Sequence, residues 1–124
     1  MNNTAIKGKY KPIYPAKYIG NINTIIYRSL WERRFMLYCD KSDQIIRWSS
    51  EELHIPYLSP KDNQWHNYYP DFQIETIDDR MIVVEIKPFY QMTYDVNKAK
   101  WKYARKYCKR NDIEFIVLTE KELF

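Results

Sequence analysis

The sequence predicts a mixed α/β domain, a central mixed sheet with helices on both sides, and three observations carry that prediction. Two segments, about Thr24–Cys39 and Asp95–Arg110, repeat apolar residues at the helical period. Between them lie short runs whose side chains alternate as in strands, bounded by turn residues. After the second helix comes a run that is apolar but for Glu114, Ile113–Leu118. A strand–helix–strand crossover lays that last strand parallel to the one before the helix in the same sheet. The apolar stripes of the helices then cover the sheet.

Residues 1–18 have no clear period. Lys7, Lys9, Lys11 and Lys17 are interleaved with Tyr10, Pro12, Tyr14 and Pro15, which reads as a basic, aromatic arm before a single domain at 19–124. In the first helix Tyr27, Trp31, Phe35 and Tyr38 recur at helical spacing, as do Ile26, Leu30 and Leu37, and Asn23 or Thr24 is placed to cap it. Gln44–Trp48 reads as a short strand. In Glu52–Tyr57 the residues Leu53, Ile55 and Tyr57 take one face, and Ser59–Asn63 is a turn. Trp65–Thr76 and Met81–Lys87 read as two strands of a hairpin joined through Ile77–Arg80. Pro88 ends the second, since it cannot donate to a ladder. In the second helix Trp101, Ala104 and Cys108 lie on one side, and Asn111-Asp112 breaks it. Ile113–Leu118 reads as a strand of the buried type. Thr119-Glu120-Lys121-Glu122 is a capping box opening a last helical turn.

At 124 residues the chain is long enough for one domain with its own core. Its 17% aromatic content, including 12 Tyr and 4 Trp, excludes a disordered chain and supplies either core area or stacking surface. A net charge of +4 suits a phosphate-bearing partner without demanding one. Cys39 and Cys108 have no ligand spacing, which speaks against structural zinc; both read as buried free thiols. No stretch is apolar enough to span a bilayer and no secretory signal is visible, so the expectation is a soluble protein inside a cell or packaged in a particle.

The chemistry-bearing segments are Pro70-Asp71 and Glu85-Ile86-Lys87. Positions two apart on a strand share a face, so Glu85 and Lys87 project together while Ile86 points into a core. Pairing of the two runs brings Asp71 to the same end of the sheet. Two carboxylates and an ammonium then converge, an arrangement suited to a divalent cation, with the Ile86 backbone carbonyl as a further ligand. Such a site hydrolyses phosphodiesters: the cation relieves phosphate charge, and Lys87 positions or deprotonates the attacking water. A solvated strand end is the plainer account of the same residues.

Glu32 is a third acidic candidate for the metal site, although Ser29-Leu30-Trp31-Glu32 also matches a capping box. His66 stands five positions before Asp71, where a regular strand puts the two on opposite faces and a bulge near Pro70 would reunite them. It is a candidate for touching a phosphate or the water, or else a surface histidine. Lys98, Lys102, Arg105 and Lys109 form one basic stripe on the second helix, opposite Trp101, Ala104 and Cys108. That row fits a phosphate backbone, and equally a solvated helix face. Arg28, Arg33 and Arg34 on the first helix extend it.

Pro70-Asp71 with Glu85-Ile86-Lys87 resembles the signature of the PD-(D/E)xK nuclease superfamily, with Glu32 matching the glutamate that many members place on the helix before the sheet. Ile26–Glu32, Trp48–Glu52, Ile55–Tyr57, His66, Tyr69–Phe72, Glu85–Pro88 and Glu114–Glu120 resemble the head-completion nucleases of T4-type tailed phages over nearly the whole chain. The core is also similar to the nuclease subunit of Tn7-type transposases. The resemblance implies a restriction-endonuclease-like core and a metal-dependent DNA nuclease acting at the packaged phage head. By the same resemblance Asp71, Glu85 and Lys87 are catalytic together with Glu32, Mg2+ (or Mn2+ in its place) is the cofactor, DNA is the partner beside portal or head-completion proteins, and the protein resides in the host cytoplasm or the virion. Two other readings stay open: a non-catalytic DNA-end or portal-binding virion protein, and a junction-resolvase or transposase-type endonuclease.

Overall fold

The computed structural model describes residues 6–123. Its elements, in chain order, are β1 (Gly8–Lys9), β2 (Ile26–Tyr27), α1 (Leu30–Lys41), β3 (Ile45–Ser50), β4 (Ile55–Leu58), β5 (Trp65–Tyr68), β6 (Phe72–Thr76), β7 (Met81–Ile86), α2 (Asp95–Arg110), β8 (Glu114–Leu118) and α3 (Glu120–Leu123). Short 3-10 turns occupy Pro15–Lys17 and Phe89–Gln91.

The central sheet has the order β3-β6-β7-β8. β6 and β7 form the expected antiparallel hairpin, in register from Phe72 opposite Val84 to Glu75 opposite Met81. β8 runs parallel to β7, as the crossover through α2 requires. Alternation along β7 divides the molecule into two layers. Ile82, Val84 and Ile86 face α1, in a core with Trp31, Phe35, Met36, Trp48, Phe72 and Ile74. The other face receives α2, where Trp101 and Ala104 pack with Ile55, Tyr57, Tyr68, Phe115 and Val117. Many of the aromatics are core: Tyr18 lies edge-on to Trp48 at 4.7 Å between ring centroids, and Phe35 packs on Phe72 at 4.9 Å. Cys39 and Cys108 are buried free thiols.

Four expectations need correction. The first helix begins at Leu30 rather than Thr24. Ser29 caps it by accepting the Glu32 N–H, and Ile26–Tyr27 is drawn off into a ribbon with Gly8–Lys9. The helical stripe through Ile26 and Tyr27 therefore lost to a strong local cap.

Residues 6–18 are not a separate arm. Tyr10 is buried with its hydroxyl donated to Asp40 Oδ2 at 2.7 Å, and the Ile13 and Tyr14 N–H groups donate to the same carboxylate. Lys17 Nζ caps the end of α1 through the Asp40 and Ser42 carbonyls. Residues 1–5 lie outside the described residues.

The run from Trp65 to Thr76 is two strands, not one. It breaks at Tyr69-Pro70-Asp71, so that β5 pairs with β4 in a separate ribbon and β6 enters the central sheet. Pro70 explains the break, because it has no N–H to give a ladder. Finally, Ile113–Leu118 reads as a buried strand but its β8 is the edge of the sheet, with Ile116 37% exposed. An apolar run reports burial on both faces, not whether a further strand pairs with it.

Candidate active site

The site forms where β6 begins and β7 ends. Just beyond the Phe72–Val84 pair, the Asp71 N–H donates to Glu85 Oε1 at 3.3 Å and Asp71 Oδ2 accepts the Ile86 N–H at 2.7 Å. Each carboxylate thus gives one oxygen to a backbone donor, and the two side chains meet each other. Pro70 is fully buried and stiffens the chain entering this corner. Glu85 is only 3% exposed, and Lys87 Nζ stands 3.9 Å from its Oε2. Ile86 points to the opposite face, into the α1 core. The N–H and C=O of a strand residue lie on the same side, so the Ile86 carbonyl shares the edge on which Asp71 sits.

The electrostatics follow from this packing. Burial raises the affinity of Asp71 for a proton well above the carboxylate norm, and the Glu85 charge adds to it against the Ile86 N–H and Lys87. Glu85 is also raised by burial, opposed chiefly by Lys87 and by its hydrogen bonds. Asp71 is the member pushed further, because Lys87 favours charge on Glu85. A buried Glu85 carboxylate and a half-buried Asp71 carboxylate therefore face the one ammonium of Lys87. The donor set is all oxygen, which fits a hard divalent cation such as Mg2+. Asp71, Glu85 and the Ile86 carbonyl are the groups able to hold it.

Glu32 is the cap residue that Ser29-Leu30-Trp31-Glu32 announces. Its carboxylate closes the helix cap, accepting the Arg28 N–H and facing the Ser29 hydroxyl. Burial first, then the field of Asp71, raises its pKa to about 7. It stands on the α1 side of Asp71. Among the described residues no three His, Cys, Asp or Glu side chains gather closely enough to share an ion, so the acidic centre is the Asp71–Glu85 pair and Glu32 does not complete a three-carboxylate cluster.

The other expected contacts scatter. His66 is in β5 and bonds Asp62 at 2.7 Å, within its own ribbon and apart from the sheet corner. Arg28 makes a two-pronged ion pair with Glu51 (3.0 and 3.1 Å), and the fields of Glu51, Glu32 and Asp71 bear on it. Glu51 holds a left-handed backbone (φ 55°) and donates its N–H to the Asp71 carbonyl, a strained link that ties the end of β3 to the site. Arg33 is exposed, 6.0 Å over the Tyr27 ring. Lys98, Lys102, Arg105 and Lys109 are exposed along one face of α2, Arg105 lying over Phe115.

Three neighbours of the pair escaped the sequence reading as site residues. Tyr68 and Trp101 are buried beside Glu85, the Tyr68 hydroxyl lying between the Glu85 carboxylate and the Trp101 indole. Burial and the two carboxylates keep the Tyr68 hydroxyl protonated. Lys100 is the third. A lysine lying opposite the basic stripe of the same helix was the signal available in the sequence.

Residues 42–120 match the family of the TnsA-like endonuclease N-terminal domain. The chain is also 30% identical to the head completion nuclease of Enterobacteria phage T4, over 141 aligned positions that cover 96% of this chain and 94% of the relative. The chain belongs to the TnsA-like endonuclease family. The mixed sheet with flanking helices is its restriction-endonuclease-like fold. The matched segment of this TnsA-like chain contains Asp71, Glu85, Lys87 and Lys100, whereas Glu32 precedes it.

Proposed function

We propose that the protein is a Mg2+-dependent DNA endonuclease acting at phage head completion. The single observation behind this is the meeting of Asp71, Glu85 and Lys87 at one corner of a restriction-endonuclease-like sheet. Similarity to a head completion nuclease supports the setting: the host cytoplasm or the virion, with packaged DNA as substrate and portal or head-completion proteins as partners. No helix among the described residues is long and apolar enough to cross a membrane.

Asp71 and Glu85 would hold the cation with the Ile86 carbonyl, and Glu32 backs Asp71 from the α1 side. A bound Mg2+ supplies charge neutralisation at the scissile phosphate and a water acidic enough to react near neutral pH. Lys87 Nζ orients the attacking water and puts positive charge beside the phosphate as negative charge grows there. Glu85 and the buried strand end keep Lys87 in place. The backbone N–H bonds to Asp71 and Glu85 hold the two carboxylates in place before substrate arrives.

The test is cleavage of linear, circular and branched duplexes in Mg2+ and in EDTA. Mg2+-dependent breaks that disappear in Asp71→Ala and Glu85→Ala support the reading. DNA binding with no breaks in any metal would leave a non-catalytic DNA-end protein, and a strong preference for branched DNA would favour a resolvase.

A further inference from the structure

Lys100 leaves α2 in the direction opposite to the basic stripe. With about 100° of turn per residue, Lys98, Lys102, Arg105 and Lys109 fall within roughly 60° of one another, and Lys100 lies about 180° from their centre. Its ammonium sits 5.9 Å from the Tyr57 ring centroid and 5.7 Å from that of Tyr68, the tyrosine packed against Glu85. The two rings hold the half-buried side chain by cation–π attraction while its head stays unpaired. It makes no ion pair among the described residues. Burial lowers its proton affinity, and the charges of Lys87, Glu85, Lys61 and Asp71 all bear on it.

Lys61 comes from the turn between β4 and β5, Lys100 from α2 and Lys87 from the end of β7. Three separate elements thus direct like charges into one neighbourhood. Of the three, Lys87 alone makes an ion pair among the described residues, with Glu85, which leaves Lys100 and Lys61 for an anion from outside. A cation placed beside the acidic pair without a carboxylate of its own is suited to phosphate.

We propose that Lys100 and Lys61 bind the DNA backbone on the approach to Lys87, so that DNA crosses the β4–β5 ribbon rather than the outer face of α2. This rests on the nuclease reading for its substrate and names a different surface from the exposed stripe. Lys100 grips a phosphate adjoining the scissile one, and Tyr57 and Tyr68 set its direction. Lys61 meets the strand further out. The Lys98–Lys109 stripe is a solvated face.

The experiment compares Lys61→Ala, Lys100→Met, Lys100→Arg and the triple variant Lys98→Ala/Lys102→Ala/Lys109→Ala. Lys100→Met keeps the stem against the tyrosines, and circular dichroism verifies folding. Duplex binding is followed by fluorescence anisotropy in Ca2+ over a range of salt, and cleavage by single turnover in Mg2+. Lys61→Ala and Lys100→Met should each weaken binding several-fold and flatten the log–log salt dependence by about one unit. Lys100→Met should also slow cleavage at least about tenfold, Lys100→Arg should retain most binding, and the triple variant should resemble the parent. Wild-type affinity and salt dependence in Lys61→Ala and Lys100→Met, or the loss appearing in the triple variant instead, overturns the proposal. A parent that binds DNA yet never cleaves it defeats the nuclease reading alone, since the binding data still decide the role of the lysines.

Discussion

Asp71 and Glu85 are latched to each other across the ends of β6 and β7: the amide of one holds an oxygen of the other, while the Asp71 carboxylate takes the next amide along, that of Ile86. The latch fixes two like charges where water reaches them poorly. That is unfavourable for the protein alone and useful to a protein that binds a cation.

Asp71→Asn should therefore separate stability from activity. The amide is nearly isosteric and ends the repulsion with Glu85. In EDTA the variant should be at least as stable as the parent, by up to about 1 kcal/mol in urea unfolding. Its nicking activity should fall at least about 100-fold. A clear loss of stability would mean that the pair is not repulsive in the folded protein.

Metal should stabilise the parent selectively. At 100 times the dissociation constant, a ligand bound only by the folded state adds about 2.7 kcal/mol. Melting with and without Mg2+ should show a rise in Tm for the parent and little change for Asp71→Asn or Glu85→Gln. Equal rises in all three proteins would place the ion elsewhere.

Glu32 should make stability fall with rising pH. Its pKa rises from an ordinary 4.5 to about 7 on folding, through burial and then the Asp71 charge. Between those values the folded chain keeps a proton that the unfolded chain has released. Unfolding then releases that proton, and stability declines as pH climbs from about 4.5, with the loss complete above about 7. Glu32→Gln preserves an acceptor for the cap and removes the titration. In EDTA its unfolding free energy should drop less between pH 5 and 8 than the parent's; parallel curves would show that Glu32 ionises normally.

Asp40 should be a structural keystone. It is fully buried, and its carboxylate satisfies the Tyr10 hydroxyl and the Ile13 and Tyr14 amides. Asp40→Ala leaves those donors without partners and should cost about 3 kcal/mol or more in urea unfolding. Limited proteolysis should then cut within residues 6–18. A loss below about 0.5 kcal/mol would mean that water replaces the carboxylate freely.

Elements with local signals were legible in the order of residues alone. Asp95–Arg110 forms as its periodicity states, Thr119–Glu122 forms its cap, and Ile77–Arg80 makes its turn with Asp79 left-handed. The face-sharing of Glu85 and Lys87, with Ile86 turned inward, follows from the pleat of any strand. Features that depend on partners distant in the chain were not legible there. Only packing shows that Tyr10 is claimed by Asp40, that the chain breaks at Pro70 into two sheets, and that His66 goes with the ribbon instead of the site. Only packing turns Lys100 toward Glu85 and leaves the more conspicuous basic row outside. Periodicity specifies which residues share a face; what lies opposite that face is chosen by the free energy of the whole fold.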